Sequence, residues 1–163
     1  MTRAGVHVSI APPREHAALN ALYLRLGYHG GIADDDVVFV AHVNDQPVGL
    51  VRRSVESGLL MLRGMQVAPG HQRQGIGSRL LRAFVADLPA TDCYCIPYAH
   101  LPPFYAQGGF ALLDESGAAD FLRARLERYR AEGLEVIVMR REATPDGAAC
   151  PFRPSALYDL RGS

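Results

Sequence analysis

Residues 68–78 combine residue types that could bind an anion. The stretch reads APGHQRQGIGS, and its first eight residues include one proline, two glycines and no large apolar side chain. Apolar residues recur at helical spacing from Ile76, which predicts a turn leading into a helix. The first N–H groups of a helix lack internal partners and lie at the positive end of its dipole, so they favour a bound phosphate. Gly75 and Gly77 would let a diphosphate approach the backbone, although an ordinary strand-to-helix turn can have the same glycines.

Two elements must position this turn. Residues 59–67 are nearly all apolar, which predicts a buried strand with Met61, Met65 and Val67 on one face. The helix after the turn is predicted to end just before Pro89. The turn is therefore expected between a central strand and an amphipathic helix.

The remaining pattern predicts one α/β domain. Its 163 residues are enough for one packed core and too few for two. Further strands are predicted at residues 6–10, 37–43, 47–55, 91–96, 110–113 and 135–141. Further helices are predicted after Pro12 and Pro13, around Phe104 and Tyr105, and at residues 120–133.

Composition argues against several kinds of partner and site. Seventeen basic side chains balance seventeen acidic ones, so no net charge would attract nucleic acid or an anionic membrane. No apolar run reaches the roughly 20 residues that span a bilayer, and the N-terminus has no signal-like apolar core. A cytoplasmic location is therefore expected. Cys93, Cys95 and Cys150 have no partners at metal-ligand spacing, so buried reduced thiols and no metal are expected.

Two segments together resemble a known family. Gln72-x-x-Gly75-x-Gly77 is similar to the acetyl-CoA signature of the GCN5-related N-acetyltransferase (GNAT) family. Residues 103–110, PFYAQGGF, resemble the Phe-Tyr-x-x-x-Gly-Phe segment of that family. The resemblance implies acetyl-CoA as co-substrate and a mixed, mostly antiparallel sheet of about seven strands with helices on both faces. It also implies a splay between strands 4 and 5 that admits the pantetheine arm.

The resemblance implies residues that would hold the donor. A backbone N–H near residues 65–67 would face the thioester carbonyl as an oxyanion donor. The backbone of residues 72–78 would bind the diphosphate, assisted by the side chains of Gln72, Arg73 and Ser78. The expected donor-binding residues are Met65, Gln66, Val67, Gln72, Arg73, Gln74, Gly75, Ile76, Gly77, Ser78, Tyr98 and Tyr105.

Tyr105 is the expected general acid. A phenol with a pKa of about 10 and a thiol with a pKa of about 8.5 differ by about 2 kcal/mol, which permits proton transfer. The base stays open, because Met61 stands where some family members have a glutamate. His100, just ahead of Tyr105, is the first candidate, and water relays to backbone groups are the alternative. Both residues also have a purely structural interpretation, Tyr105 as a packed aromatic and His100 as a turn residue.

The acceptor amine is expected to contact the loop after the first helix and the segment around Tyr98. The expected acceptor-binding residues are Tyr28, Asp34, Asp35, Arg63 and Tyr98. Three consecutive aspartates could attract a cationic amine, but such a run also occurs in solvated or capping loops. Arg63 could pair with an acceptor carboxylate, or a bulge in its strand could leave it at a rim.

Two segments extend beyond the minimal pattern. A helix inserted at about residues 118–133 carries apolar residues on one face and several arginines, including Arg125, around the other. It would cover the sheet, wall off the acceptor or form a dimer contact. The acetyltransferase domain is assigned to residues 1–141 and a C-terminal tail to residues 142–163. Apolar residues in the tail are expected to pack on its own domain or, in a homodimer, on a second subunit.

These features predict an N-acetyltransferase that moves an acetyl group from acetyl-CoA to a primary amine of a small molecule by direct attack on the thioester. One alternative is a protein or peptide N-acetyltransferase, which would need an open groove. Another is a non-catalytic acyl-CoA-binding regulatory module, which the absence of a glutamate at Met61 permits.

Overall fold

A computed structural model describes residues 5–143 and shows one seven-stranded sheet in the order β1-β2-β3-β4-β5-β7-β6. The strands are β1 Val6–Ile10, β2 Val37–Val43, β3 Gln46–Glu56, β4 Leu59–Val67, β5 Cys93–Cys95, β6 Ala111–Leu112 and β7 Met139–Arg141. The helices are α1 His16–Arg25, α2 Ile76–Ala86, α3 Pro102–Ala106 and α4 Asp120–Ala131. All neighbouring strands are antiparallel except β4 and β5, which are parallel. The predicted mixed α/β fold is confirmed, whereas the tail from residue 144 lies outside the described residues.

The β2–β3 hairpin follows from its turn residues. Asn44 and Asp45 both have a positive φ, 50° and 63°, which these two residue types tolerate better than most. Two such residues make the tight hairpin turn whose twist matches the flanking strands. The strands predicted at residues 37–43 and 47–55 form this hairpin, and Gln46, which lies between the two predicted strands, is already the first residue of β3.

Helices cover both faces of the sheet. On the α2 face, Leu80, Leu81 and Phe84 of α2 and Phe104 of α3 pack into one buried cluster with Phe39 of β2. The other face, called the α1/α4 face below, has two clusters. In one of them Leu19, Leu22 and Tyr23 of α1 cover Val38, Val40 and Leu50, and in the other Leu122 and Leu126 of α4 cover Met61. Each fully buried apolar side chain of this kind stabilises the fold by about 1.5–3 kcal/mol.

A bulge in β4 changes which side chains share a face. Register positions Arg52↔Arg63 and Leu50↔Gln66 leave Gly64 and Met65 opposite one residue of β3. Gly64 has a φ of 66°, which suits a residue without a side chain. The extra residue reverses the alternation, so Met61 packs on α4 whereas Met65 belongs to the α2-face cluster. The predicted common face for Met61, Met65 and Val67 is therefore wrong.

β4 and β5 separate after a short parallel contact. They pair only at Leu60↔Cys93 and Met61↔Tyr94, although β4 continues to Val67. The chain beyond β5 instead joins the segment before β7 through a bridge between Tyr98 and Val136. The predicted splay between strands 4 and 5 is confirmed. Within residues 5–143, no helix combines the length and apolar character needed to cross a bilayer.

Candidate active site

A cavity of about 880 Å³ opens where β4 and β5 separate. Its walls come from β3, the bulged part of β4, the segment after β5, the connection between α1 and β2, α3, one side of α4 and the segment before β7. Segments that are distant in sequence therefore meet around one space, which is the usual setting of a small-molecule site.

Tyr105 lies in the wall of this cavity. Two prolines, Pro102 and Pro103, begin α3, where the missing N–H groups cost nothing. The helix packs Phe104 into the core and leaves Tyr105 only 4% exposed, with its ring edge-on to Phe110 at 6.1 Å. Tyr105 and Tyr98 both line the cavity, as the proposed acid and a proposed donor or acceptor contact would have to.

Tyr23 holds the β4 bulge. Its hydroxyl donates a hydrogen bond of 2.8 Å to the carbonyl of Gly64. Burial raises the pKa of Tyr23 far above its ordinary range, so the phenol keeps its proton and remains a donor. A Cβ at Gly64 would lie 2.6 Å from the Tyr23 hydroxyl, so the bulge requires glycine. The next two residues, Met65 and Gln66, line the cavity. From the sequence alone, Tyr23 is distinguished only as an apolar position of the first helix.

The glycine turn is built as the sequence indicates. Gly75 has a φ of 78°, directly precedes α2, and has no heavy atom within 4 Å of where a Cβ would be. No acidic side chain occupies the first turn of α2. Open space beside Gly75, first-turn N–H groups without helical partners and the positive end of the helix dipole fit a diphosphate. Residues 72–78 do not line the cavity described above, so the turn lies apart from it.

Two side chains expected to assist the diphosphate instead brace the turn. The amide nitrogen of Gln72 donates to the carbonyl of Val67 at 3.1 Å. The hydroxyl of Ser78 donates to the amide oxygen of Gln107 at 3.2 Å, and Gln107 is itself buried. These bonds connect the turn to β4 and α3.

A buried ion pair shapes the connection between α1 and β2. Arg52 and Asp36 meet at 3.0 Å with side chains 5% and 1% exposed. Arg52 also donates to the hydroxyl of Tyr28 at 2.9 Å, which places Tyr28 at the cavity as expected. Asp34 and Asp35 are exposed and do not line the cavity, so the structure does not bring them to the acceptor site. Of the three aspartates, the third is buried, and it pairs with Arg52.

A charged cluster joins β3, β4 and α4 at the cavity. Glu56 accepts from Arg63 at 2.6 Å and from Arg125 at 3.1 Å, and Arg63 also donates to the hydroxyl of Tyr129 at 3.1 Å. Burial alone would raise the pKa of Glu56, but the bonds and charges of the two arginines outweigh it and lower the pKa. Arg63 therefore lies at the cavity in an ion pair. Arg125, predicted on the face of the inserted helix opposite its apolar face, lies in the cavity wall. Glu56, Arg125 and Tyr129 were not predicted at the site, because their partners are distant in sequence.

His100 and Tyr105 line different cavities. It is exposed, stacks on Tyr98 with ring centroids 6.1 Å apart, and lines a separate shallow cavity with Glu135. The main cavity, which Tyr105 lines, does not include His100. His100 and Tyr105 are close in sequence but line different cavities, because the chain turns between them at Leu101 and Pro102.

The described cysteines are inert. Cys93 and Cys95 are buried and free, as expected. Burial raises the pKa of Cys93 to about 12 and that of Cys95 well above its ordinary value, which disfavours the nucleophilic thiolate. No group of three or more His, Cys, Asp or Glu side chains within residues 5–143 is placed to hold a metal ion.

Comparison with known proteins identifies a domain. Residues 34–112 match a family model described as an acetyltransferase (GNAT) domain. The match runs from the α1–β2 connection through β6, and so includes the splay, the glycine turn and Tyr105.

Solved structures share the fold. Similar folds include N-acetylglutamate synthase from Neisseria gonorrhoeae complexed with coenzyme A and N-acetyl-glutamate, at 16% identity and a TM-score of 0.61. That alignment covers 88% of this chain but 36% of the gonococcal protein, so the present chain spans about a third of its length. The ribosomal-protein-S18-alanine N-acetyltransferase of Escherichia coli aligns over 90% of this chain and 100% of its own, at 14% identity and a TM-score of 0.61. Arabidopsis thaliana Naa50, in complex with the bisubstrate analogue CoA-Ac-MVNAL, aligns over 84% of this chain and 98% of its own, at 18% identity and a TM-score of 0.59.

Proposed function

We propose, on the premise that this chain carries a GNAT acetyltransferase domain, that it transfers an acetyl group from acetyl-CoA to a primary amine of a small molecule. Bound acetyl-CoA supplies an activated thioester, whose carbonyl carbon the amine attacks directly with loss of the thiolate. The observation that carries the proposal is the cavity at the splay, with Tyr105 in its wall and α4 along one side.

The backbone around the splay and the glycine turn fits acetyl-CoA. The first N–H groups of α2, at Ile76, Gly77 and Ser78, would receive the diphosphate, and Gly75 leaves room for it. Met65 and Gln66 line the cavity just after the bulge, where a backbone N–H would stabilise negative charge on an acyl oxygen. Tyr23 keeps that segment in its bulged shape.

Tyr105 is proposed to hold the proton that the leaving thiolate needs. Its phenol is nearly buried, so water does not compete strongly for the same position. The pKa difference between a phenol and a thiol costs only about 2 kcal/mol for this transfer. His100 is not retained as the proposed base, because it faces another cavity. We propose instead that a water relay to backbone groups in the main cavity removes the proton of the acceptor amine.

A small acceptor is favoured because α4 closes one side of the cavity. Leu122 and Leu126 anchor α4 on Met61, while Arg125 and Tyr129 reach the cavity itself. The rest of a peptide acceptor would have to extend out of the cavity, and α4 blocks one side. Two of the structural neighbours are named for peptide or protein acceptors, so a peptide amine is the second candidate.

The direct test is release of free thiol from acetyl-CoA in the presence of amino acids, polyamines, aminoglycosides and short peptides. We expect release with at least one small primary amine, accompanied by a mass increase of one acetyl group on that amine. Release with peptides alone would replace the small-molecule acceptor by the second candidate. Coenzyme A binding without release for any acceptor would leave a non-catalytic acyl-CoA-binding module.

A further inference from the structure

We propose that the acceptor carries a carboxylate near its amine, and that Arg63 and Arg125 bind this carboxylate at the α4 side of the cavity. The inference rests on the proposed function and names the substrate class of the same site. It follows from how charge is distributed over the cavity wall.

One carboxylate serves two guanidinium groups in this cluster. Glu56 accepts from Arg63 through both of its oxygens, at 2.6 and 2.9 Å, and from Arg125 through one of them at 3.1 Å. The side chains of both arginines are largely withdrawn from water, being 15% and 11% exposed. Both keep their charge under all ordinary conditions, so the three groups together carry one uncompensated positive charge in a poorly hydrated place. An excess charge that is partly withdrawn from water attracts an anionic ligand, because water screens it less than at the surface.

Within residues 5–143, the other charged groups at the cavity do not supply the missing anion. Asp36 pairs with Arg52 at 3.0 Å, so the two opposite charges compensate each other. Arg128 and Glu132 also line the cavity, but both are exposed at its α4 rim, where water screens them. They are of opposite charge and add no net negative charge. The excess positive charge of the Glu56 cluster therefore remains.

Arg125 is held in a shape suited to a flat anion. Its guanidinium carbon lies 4.7 Å from the ring centre of Phe121 and 5.9 Å from that of Tyr129. Within residues 5–143, its bonds go to Glu56 and, weakly at 3.5 Å, to the Tyr129 hydroxyl. A guanidinium has five N–H donors in a planar fork, so donors remain for the two oxygens of a carboxylate. Because the rings of Phe121 and Tyr129 already restrict the Arg125 side chain, it loses less conformational entropy when it binds an anion.

The cluster is placed to bind the acceptor, not the phosphates of the donor. Arg63 precedes the bulge on the same face as Met61, which packs on α4. The glycine turn that fits a diphosphate precedes α2, on the opposite face of the sheet, and does not line the cavity. An anion bound at Arg63 and Arg125 is thus separated by the sheet from the expected diphosphate.

The test compares each of four amino acids, glycine, alanine, phenylalanine and glutamate, with its α-carboxamide. Thiol release from acetyl-CoA gives kcat and KM, and calorimetry with protein saturated with coenzyme A gives binding separately. We expect kcat/KM at least about tenfold higher for the better amino acids than for their amides. The amine of an amide is less basic and therefore more often neutral, so this bias works against the expected result.

Three variants locate the effect. Arg125→Gln should raise KM for the amino acid about tenfold, leave kcat within about threefold, and remove the preference over the amide. Arg125→Lys keeps the charge and should restore part of the preference. Arg123→Gln is the matched control, because Arg123 lies on the same helix, is exposed and pairs with Asp120 on that helix. It should behave as the unaltered protein.

Equal or better turnover of the amides, or a preference unchanged in Arg125→Gln, would overturn the carboxylate site while leaving the acetyltransferase intact. Carboxylate binding that depends on Arg125 without any thiol release would have the opposite meaning. It would support the anion site and overturn the proposed transfer. Loss of folding in Arg125→Gln is excluded by requiring an unchanged affinity for coenzyme A.

Discussion

The glycine turn at residues 68–78 and the cavity wall on the α1/α4 face are built on different principles. The turn presents backbone N–H groups from one continuous segment, with Gly75 in a left-handed conformation and Gln72 bracing it from behind. The cavity wall presents side chains such as Arg52 and Arg125, which come from strands and helices far apart in the chain. The turn therefore depends on local conformation, whereas the wall depends on ion pairs between distant elements.

This difference matters for specificity. Backbone groups cannot change by substitution unless the conformation changes, so the turn suits a ligand part that is always the same, such as a diphosphate. Side chains on a closed scaffold can change one at a time, so the wall can follow the acceptor. The two regions should consequently fail in different ways when they are altered, and four variants test this.

The largest expected effect is on stability, in the wall. Asp36→Asn removes the partner of buried Arg52, which would leave an uncompensated charge. We expect the free energy of unfolding to fall by about 3–5 kcal/mol in urea titrations. Asp34→Asn, at an exposed position of the same loop, should change it by less than about 0.5 kcal/mol. Similar losses in both variants would contradict the distinction between Asp36 and its neighbours.

Next in size is the chemical step, which needs both regions. Tyr105→Phe removes the phenolic proton while keeping the ring that packs on Phe110. We expect kcat to fall at least about 100-fold, with KM for acetyl-CoA within about twofold. Tyr94→Phe, a half-buried tyrosine outside the cavity, serves as the control. A kcat in Tyr105→Phe equal to that of the unaltered protein would remove this residue from the mechanism.

The turn should respond to conformation alone. Gly75→Ala adds a methyl group where the structure has space, but a left-handed backbone costs a residue with a side chain about 1–2 kcal/mol. Coenzyme A should bind about tenfold more weakly by calorimetry, with the acceptor KM unchanged. Gly70→Ala, in the same turn without a left-handed φ, should bind within about twofold of the original. Equal effects at both glycines would mean that space, not conformation, controls binding.

The smallest expected effect is the pH dependence of the Glu56 cluster. The folded pKa of Glu56 lies below its ordinary 4.5, so its ion pairs stabilise the fold above that pH and are lost as the pH falls through the folded pKa. Because Glu56 is partly exposed, we expect Glu56→Gln to lower the free energy of unfolding at pH 7 by less than about 1 kcal/mol. The difference should shrink toward zero on acidification. A difference that grows at low pH would reverse the assigned sign, and Glu127→Gln, at an exposed position of α4, is the control.

Local patterns were enough to predict most of the fold. The hairpin at Asn44, the splayed pair β4 and β5, and the short helix carrying Tyr105 all follow from periodicity, turn residues and the family resemblance. A bulge in this strand was considered for Arg63, but its effect on the alternation of β4 was not applied to Met61. A single inserted residue exchanges the two faces of a strand, so pattern alone misplaces every residue beyond it.

The acceptor side was much less predictable. Arg125 follows the spacing of a solvated helix face, and only the approach of Glu56 from β3 turns it inward. Asp36 cannot be told from Asp34 until Arg52 is known to lie beside it. Such pairs depend on the packing of distant elements, which no local pattern records. The glycine turn, in contrast, is complete within one segment and could be recognised directly.

Hydrogen–deuterium exchange with and without coenzyme A tests the division between the two regions most directly. We expect the ligand to slow exchange at the backbone amides of residues 65–67 and 76–78, while the amides of α4 exchange at an unchanged rate. Slowed exchange confined to α4 and the α1–β2 connection, with residues 76–78 unaffected, would contradict the assignment of the glycine turn to the donor.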